Sequence, residues 1–162
     1  MKKTMLIVFG LFLFTGLKAQ IAPNAIGLRL GGGNGFGSEI SYQKRLSEQN
    51  RMEFDLGLKN SNNYDAWSLT GLYEWVWPLN MSEPGFSWYA GVGGRIGYWD
   101  WDNLDDGKDD DGIYLAIPGV VGVEYAFPFG LQLALDLRPE FGMVNTDDAM
   151  ELDMGLCVRY QF

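Results

Sequence analysis

The chain has 162 residues, 47% of them apolar and 20% charged, so it is long enough for one folded domain and too apolar for a disordered tail. It contains no His and a single Cys, which excludes His-based catalysis, His-ligated metals and an internal disulfide framework. The formal charge of −9 argues against nucleic acid as a partner, because phosphate binding needs a basic surface. We therefore expect no enzymatic activity, no catalytic residues, no cofactor and no metal site.

The first residues have the pattern of a secretory signal peptide. Lys2 and Lys3 form a positive start, the run Met5–Leu17 is mostly apolar, and Ala19 offers a small residue for cleavage. The apolar run is shorter than the roughly 20 residues that a spanning helix needs. We expect residues 1–19 to be removed and residues 20–162 to form the exported domain.

From residue 24 onward, apolar and polar residues alternate with period two, the pattern of β-strands that have one apolar and one polar face. Turn-forming residues such as Asn34-Gly35 separate the runs and indicate hairpin connections. The sequence predicts an all-β fold, an eight-stranded antiparallel up-and-down barrel. The predicted strands are residues 24–33, 37–47, 50–60, 64–79, 86–100, 112–128, 131–145 and 149–162.

The composition of the two faces separates two kinds of barrel. A membrane barrel has apolar side chains outside and a polar lumen, whereas a lipocalin-like barrel has the reverse. The smaller face here is rich in glycine and charge, as in Gly91, Gly93, Arg95 and Gly97. Small residues fit inside a narrow barrel, so we predict a transmembrane β-barrel with a polar, charge-paired lumen. A periplasmic lipocalin-like binding protein is the alternative.

The last five residues read Val158-Arg-Tyr-Gln-Phe162. This segment resembles the C-terminal signature of bacterial outer-membrane β-barrels, and the chain is similar to the small OmpX/OmpA-like eight-stranded barrels. The resemblance implies a bacterial outer-membrane location, and it implies that Val158, Tyr160 and Phe162 form a signal for the assembly machinery. We also expect contact with outer-membrane lipid and lipopolysaccharide, and a monomer.

The inward-facing set holds nine acidic and seven basic residues by strand parity. In a narrow lumen such charges must be paired, because an unpaired buried charge is costly. The predicted lumen charge network is Arg29, Glu53, Asp55, Glu74, Arg95, Glu124, Asp136, Arg138, Glu140, Asp153 and Arg159. The remaining inward charges are Glu39, Arg45, Arg51, Lys59 and Glu151. The network is either a salt-bridged plug, leaving a structural or surface-interaction role, or a narrow path for small ions.

An acidic run follows the fifth predicted strand. It contains Asp100, Asp102, Asp105, Asp106, Asp109, Asp110 and Asp111. The spacing fails the EF-hand pattern, since Leu104 and Ile113 occupy ligand positions counted from Asp102. We expect a solvated outer loop that repels itself. A loose divalent-cation site that bridges to lipopolysaccharide is the alternative.

Two prolines, Pro118 and Pro139, fall inside the sixth and seventh predicted strands at similar heights. Proline cannot donate a ladder hydrogen bond, so strand pairing should weaken there. A local bulge is one interpretation. The other is a lateral seam through which small apolar molecules pass.

Overall fold

The computed structural model describes residues 23–31, 37–60, 64–79, 84–101, 112–145 and 150–162. Its strands are β1 (Asn24–Gly31), β2 (Ser38–Arg45), β3 (Asn50–Asn60), β4 (Tyr64–Pro78), β5 (Phe86–Trp101), β6 (Gly112–Ala126), β7 (Leu131–Val144) and β8 (Met150–Gln161). Each strand pairs antiparallel with the next, and β8 pairs with β1 to close the barrel. The predicted fold class is confirmed. Within the described residues, no helix is long and apolar enough to cross a membrane.

Burial alternates along the strands as period two requires. On β8, Cys157 and Arg159 are buried in the lumen, whereas Leu156, Val158 and Tyr160 are exposed on the outside. Exposed Leu, Ile, Val, Met and aromatic side chains occur on the outer face of every strand. Such an exterior is unfavourable in water and favourable in lipid, so the lipocalin-like alternative is wrong.

β2 and β6 each end two residues earlier than the alternation predicts, because a turn begins there. β2 stops at Arg45, since the Ser47 hydroxyl accepts a hydrogen bond from the Asn50 backbone N–H at 3.1 Å. β6 stops at Ala126, because Gly130 adopts a φ of 94° and closes a tight turn. The predicted signal peptide and the Asn34-Gly35 hairpin lie outside the described residues.

Aromatic rings cluster at the end of the barrel where β1 begins and β8 ends. Trp77 stacks on Trp88 with ring centroids 4.3 Å apart. The Tyr125 ring contacts both Phe86 and Phe127, with centroid distances of 4.5 and 4.6 Å. Amphipathic rings concentrate at membrane interfaces. If the N-terminus is periplasmic, this is the periplasmic end of the barrel, and it is called the periplasmic end below.

Candidate functional site

Arg29 is the centre of the lumen charge network. Its side chain is fully buried, and its Nη2 lies 2.7 Å from Asp136 while its Nη1 lies 2.6 Å from Asp153. Glu39 lies 3.3 Å from the same Nη1. One guanidinium on β1 thus connects to β2, β7 and β8. The planar fork of arginine suits this arrangement, because it presents five donors in fixed directions.

A second guanidinium extends the network across the barrel. Arg138 on β7 contacts Glu53 at 3.0 Å and Asp55 at 2.9 Å, both on β3, and Glu39 at 3.5 Å. Arg159 on β8 reaches Glu53 from the other side at 2.8 Å. Because β3 lies across the lumen from β7 and β8 in the strand order, these ion pairs bridge opposite walls.

Arg95 on β5 extends the network toward the outer end. Its guanidinium contacts Glu39 at 2.5 Å and Glu140 at 2.7 Å, and its Nε donates to the Thr70 hydroxyl at 2.7 Å. Glu39 therefore accepts contacts from three arginines, which places one carboxylate at the junction of the central and outer groups.

A separate group occupies the periplasmic part of the lumen. Arg51 contacts Glu74 at 2.5 Å and Glu124 at 2.7 Å, and the Gln132 side-chain amide also donates to Glu124 at 2.7 Å. The Arg51 guanidinium lies over the Tyr89 ring, 4.6 Å from its centroid. A cation over an aromatic face is stabilised electrostatically.

The lumen also contains an apolar cluster that the sequence analysis did not predict as a group. It consists of Leu72, Tyr89, Val120, Ala134 and Cys157. These residues share the inward parity of their strands, so the same alternation that located the charges could have located them. The cluster lies in the lumen beside the ion pairs, and the Cys157 thiol donates to Asp136 at 3.2 Å.

Lumen glycines make room for the largest of these side chains. A Cβ added at Gly122 would lie 2.5 Å from the Tyr89 ring, and one added at Gly155 would lie 2.6 Å from the Arg29 guanidinium. Both distances are far below van der Waals contact. The glycines on the polar face are thus required by packing against neighbouring strands.

The structure brings the eleven predicted network residues into one buried lumen. Counted over the described residues, the buried charges are five guanidiniums, Arg29, Arg51, Arg95, Arg138 and Arg159, and eight carboxylates, Glu39, Glu53, Asp55, Glu74, Glu124, Asp136, Glu140 and Asp153. Arg45 and Lys59 are half-buried at strand ends, and Glu151 is exposed, although its register with Glu140 gives it inward parity. The near balance of nine acidic and seven basic inward residues therefore counts three groups at the barrel ends, and the buried set by itself has more carboxylates than guanidiniums.

Both ladders of β6 are interrupted near Pro118. The β6–β7 register passes through Pro118 and Glu140 and resumes at Val121 and Leu137. The β5–β6 register resumes at Arg95 after a gap opposite Pro118. Pro139 lies beside Gly119 on the outer face. A Cβ added to Gly119 would lie 3.4 Å from the Pro139 Cγ. The two prolines thus lie at neighbouring heights, and lateral opening stays a prediction.

The remaining predicted sites are placed only in part. Val158, Tyr160 and Phe162 all lie on the outer face of the closing strand, and the Phe162 N–H donates to the Asn24 carbonyl at 2.9 Å. Their role in assembly stays a prediction. The acidic run beyond β5 lies outside the described residues, apart from the backbone of Asp100. No group of three or more His, Cys, Asp or Glu within the described residues could hold a metal ion.

Solved structures with the same architecture are similar to this chain. The N-terminal β-barrel domain of Pseudomonas aeruginosa OprF has a TM-score of 0.65 and 14% identity, with 88% of this chain and 100% of that chain covered. Neisserial surface protein A (NspA) has a TM-score of 0.57 and 18% identity, with 86% of this chain and 94% of that chain covered. Ail, the attachment invasion locus protein of Yersinia pestis, has a TM-score of 0.55 and 13% identity, with 86% of this chain and 96% of that chain covered. No family model and no curated protein matches the chain. The chain therefore has the fold of the eight-stranded outer-membrane barrels, with the lipid-facing exterior that this fold requires.

Proposed function

We propose that this protein is an integral outer-membrane barrel with a closed lumen, and that its role is structural or lies in contacts made at the cell surface. The observation that carries the proposal is the burial of the lumen charges. Arg29, Arg138 and Arg159 are each at most 1% exposed, and the ion pairs of Arg138 and Arg159 with Glu53 bridge opposite walls.

The energetics of these pairs support a closed lumen. A water-filled pore would hydrate the guanidiniums and carboxylates and leave them partly accessible, whereas here they contact one another directly and pack beside an apolar cluster. Eight strands enclose an interior just wide enough for side chains to fill. With the lumen filled, the surface remains available for function. The names of two similar structures, a surface protein and an attachment protein, support a surface role for this chain as well.

An ion path is the second candidate, and one observation favours it. The buried carboxylates outnumber the buried guanidiniums, eight to five among the described residues. A lumen with excess negative charge attracts cations, as rings of acidic side chains do in cation channels. If side chains rearrange, small cations would follow this series of carboxylates.

Single-channel recording from refolded protein in a planar bilayer separates the two candidates. We expect no conductance steps from the wild type, once insertion is verified by protease protection. The double variant Arg29→Ser and Asp136→Ser removes a central ion pair and should introduce conductance steps. It is the positive control that the assay detects an opened lumen. Reproducible, cation-selective steps from the wild type would refute the closed lumen and support the ion path.

A further inference from the structure

The periplasmic mouth of the barrel contains a small polar cavity. Its volume is about 40 Å³, and its lining includes Asn24, Gln43, Arg45, Arg51, Glu124 and Gln161. The cavity lies beyond the buried Arg51 group, between the start of β1, the ends of β2 and β8, and the start of β3. None of the roles considered above uses it.

Two cations face each other at this mouth. Arg45 and Arg51 are direct partners in the β2–β3 register, so both side chains have inward parity at the same height. Like charges directly opposite on neighbouring strands destabilise a sheet. Arg51 forms ion pairs with Glu74 and Glu124. Arg45 is attracted by Glu124 and Glu48 but forms no direct salt bridge with any residue that the structure describes.

One hydrogen-bond donor at the cavity is buried and unsatisfied. Arg51 is 8% exposed, and its buried Nη2 has no hydrogen-bond partner among the described residues. Both Glu124 oxygens already accept from Arg51, which neutralises the acidic member of the lining.

We propose that this cavity binds a phosphate-type oxyanion at the periplasmic mouth, held by the guanidinium groups of Arg45 and Arg51. An oxyanion supplies a direct ion-pair partner for Arg45 and an acceptor for the unsatisfied Arg51 Nη2. Guanidinium groups bind phosphate oxygens through parallel hydrogen bonds, which gives strength and orientation. The same chemistry is offered by free phosphate and by the phosphate of a phospholipid headgroup.

The test measures binding of inorganic phosphate to the full mature barrel, refolded in a phosphorus-free detergent, by 31P NMR titration at constant ionic strength with chloride as the background anion. We expect saturable binding that Arg45→Gln weakens about tenfold, the scale of one lost hydrogen bond to a charged group. Lys44→Gln is the matched control, because it removes the same charge from the next residue, which is exposed and of outward parity. It should change the affinity less than about twofold.

Heat-dependent gel mobility verifies that each variant is folded. If Arg45→Gln does not fold, Arg45→Lys is used in its place. It keeps the positive charge but loses the parallel hydrogen bonds of the guanidinium, so it should still weaken phosphate binding severalfold. A parallel titration with short-chain phosphatidic acid distinguishes the sources, since tighter binding than phosphate indicates a lipid headgroup and equal binding indicates the free ion. Lack of saturation with both ligands, or equal losses from Arg45→Gln and Lys44→Gln, would overturn the proposal.

Discussion

Replacing Arg29 by Met probes how far the barrel depends on its central ion pairs. Met is unbranched and fills much of the same space, so the change removes mainly the charge and the donors. Three carboxylates lose their contacts with the Arg29 guanidinium: Asp136 at 2.7 Å, Asp153 at 2.6 Å and Glu39 at 3.3 Å. Removing one partner of a buried ion pair costs about 3–5 kcal/mol, because a charge is left buried and uncompensated. We expect a loss of this size in the free energy of unfolding.

The assay is urea unfolding in lipid vesicles, followed through the fluorescence of the six tryptophans. The triple variant Arg29→Met, Asp136→Asn and Asp153→Asn also neutralises two of these carboxylates, while the third, Glu39, keeps its contacts with Arg95 and Arg138. It should therefore recover most of the loss. Lys44→Met removes an exposed charge from the barrel exterior and should change the stability by less than about 0.5 kcal/mol.

A different result would refute this reasoning. If Arg29→Met costs less than about 1 kcal/mol, water must reach the carboxylates and hydrate them, because an exposed ion pair contributes no more than that. A triple variant that is no more stable than the single variant would also count against it, since the cost would then come from packing and not from stranded charge.

Two further predictions concern packing and pairing. Gly97→Ala should cost about 1–3 kcal/mol in the same unfolding assay, because the new Cβ collides with the Tyr114 ring, whereas Gly94→Ala meets no neighbour and should cost much less. Equal losses would show that the lumen at Gly97 is not tightly packed. Changing Pro118 and Pro139 together to Val should leave the barrel folded and slow amide exchange across residues 115–121, because two ladder donors are restored. Exchange that stays at the wild-type rate would remove the evidence for a weakened seam.

The faces of the strands could be predicted from the sequence because side-chain alternation is a local property. Asp136 and Arg159 each lie on the inward parity of their own strand, and counting by two from any neighbour gives their direction. The same count placed Leu156 and Val158 in lipid. The strand ends were less predictable, since the Ser47 turn depends on hydrogen bonds that alternation does not report.

Which charges meet could be decided only by the tertiary structure. Arg29 and Asp136 are 107 residues apart, and Arg159 and Ser41 are 118 apart, so their contacts depend on barrel closure and on the stagger of every intervening strand. The apolar cluster around Tyr89 likewise forms only when five strands bring single residues to one height. By itself the sequence determined a closed, membrane-type barrel with a charged interior, because each strand carries its own inward and outward residues. The pairing of those charges was decided by the three-dimensional register, because each ion pair joins residues from different strands.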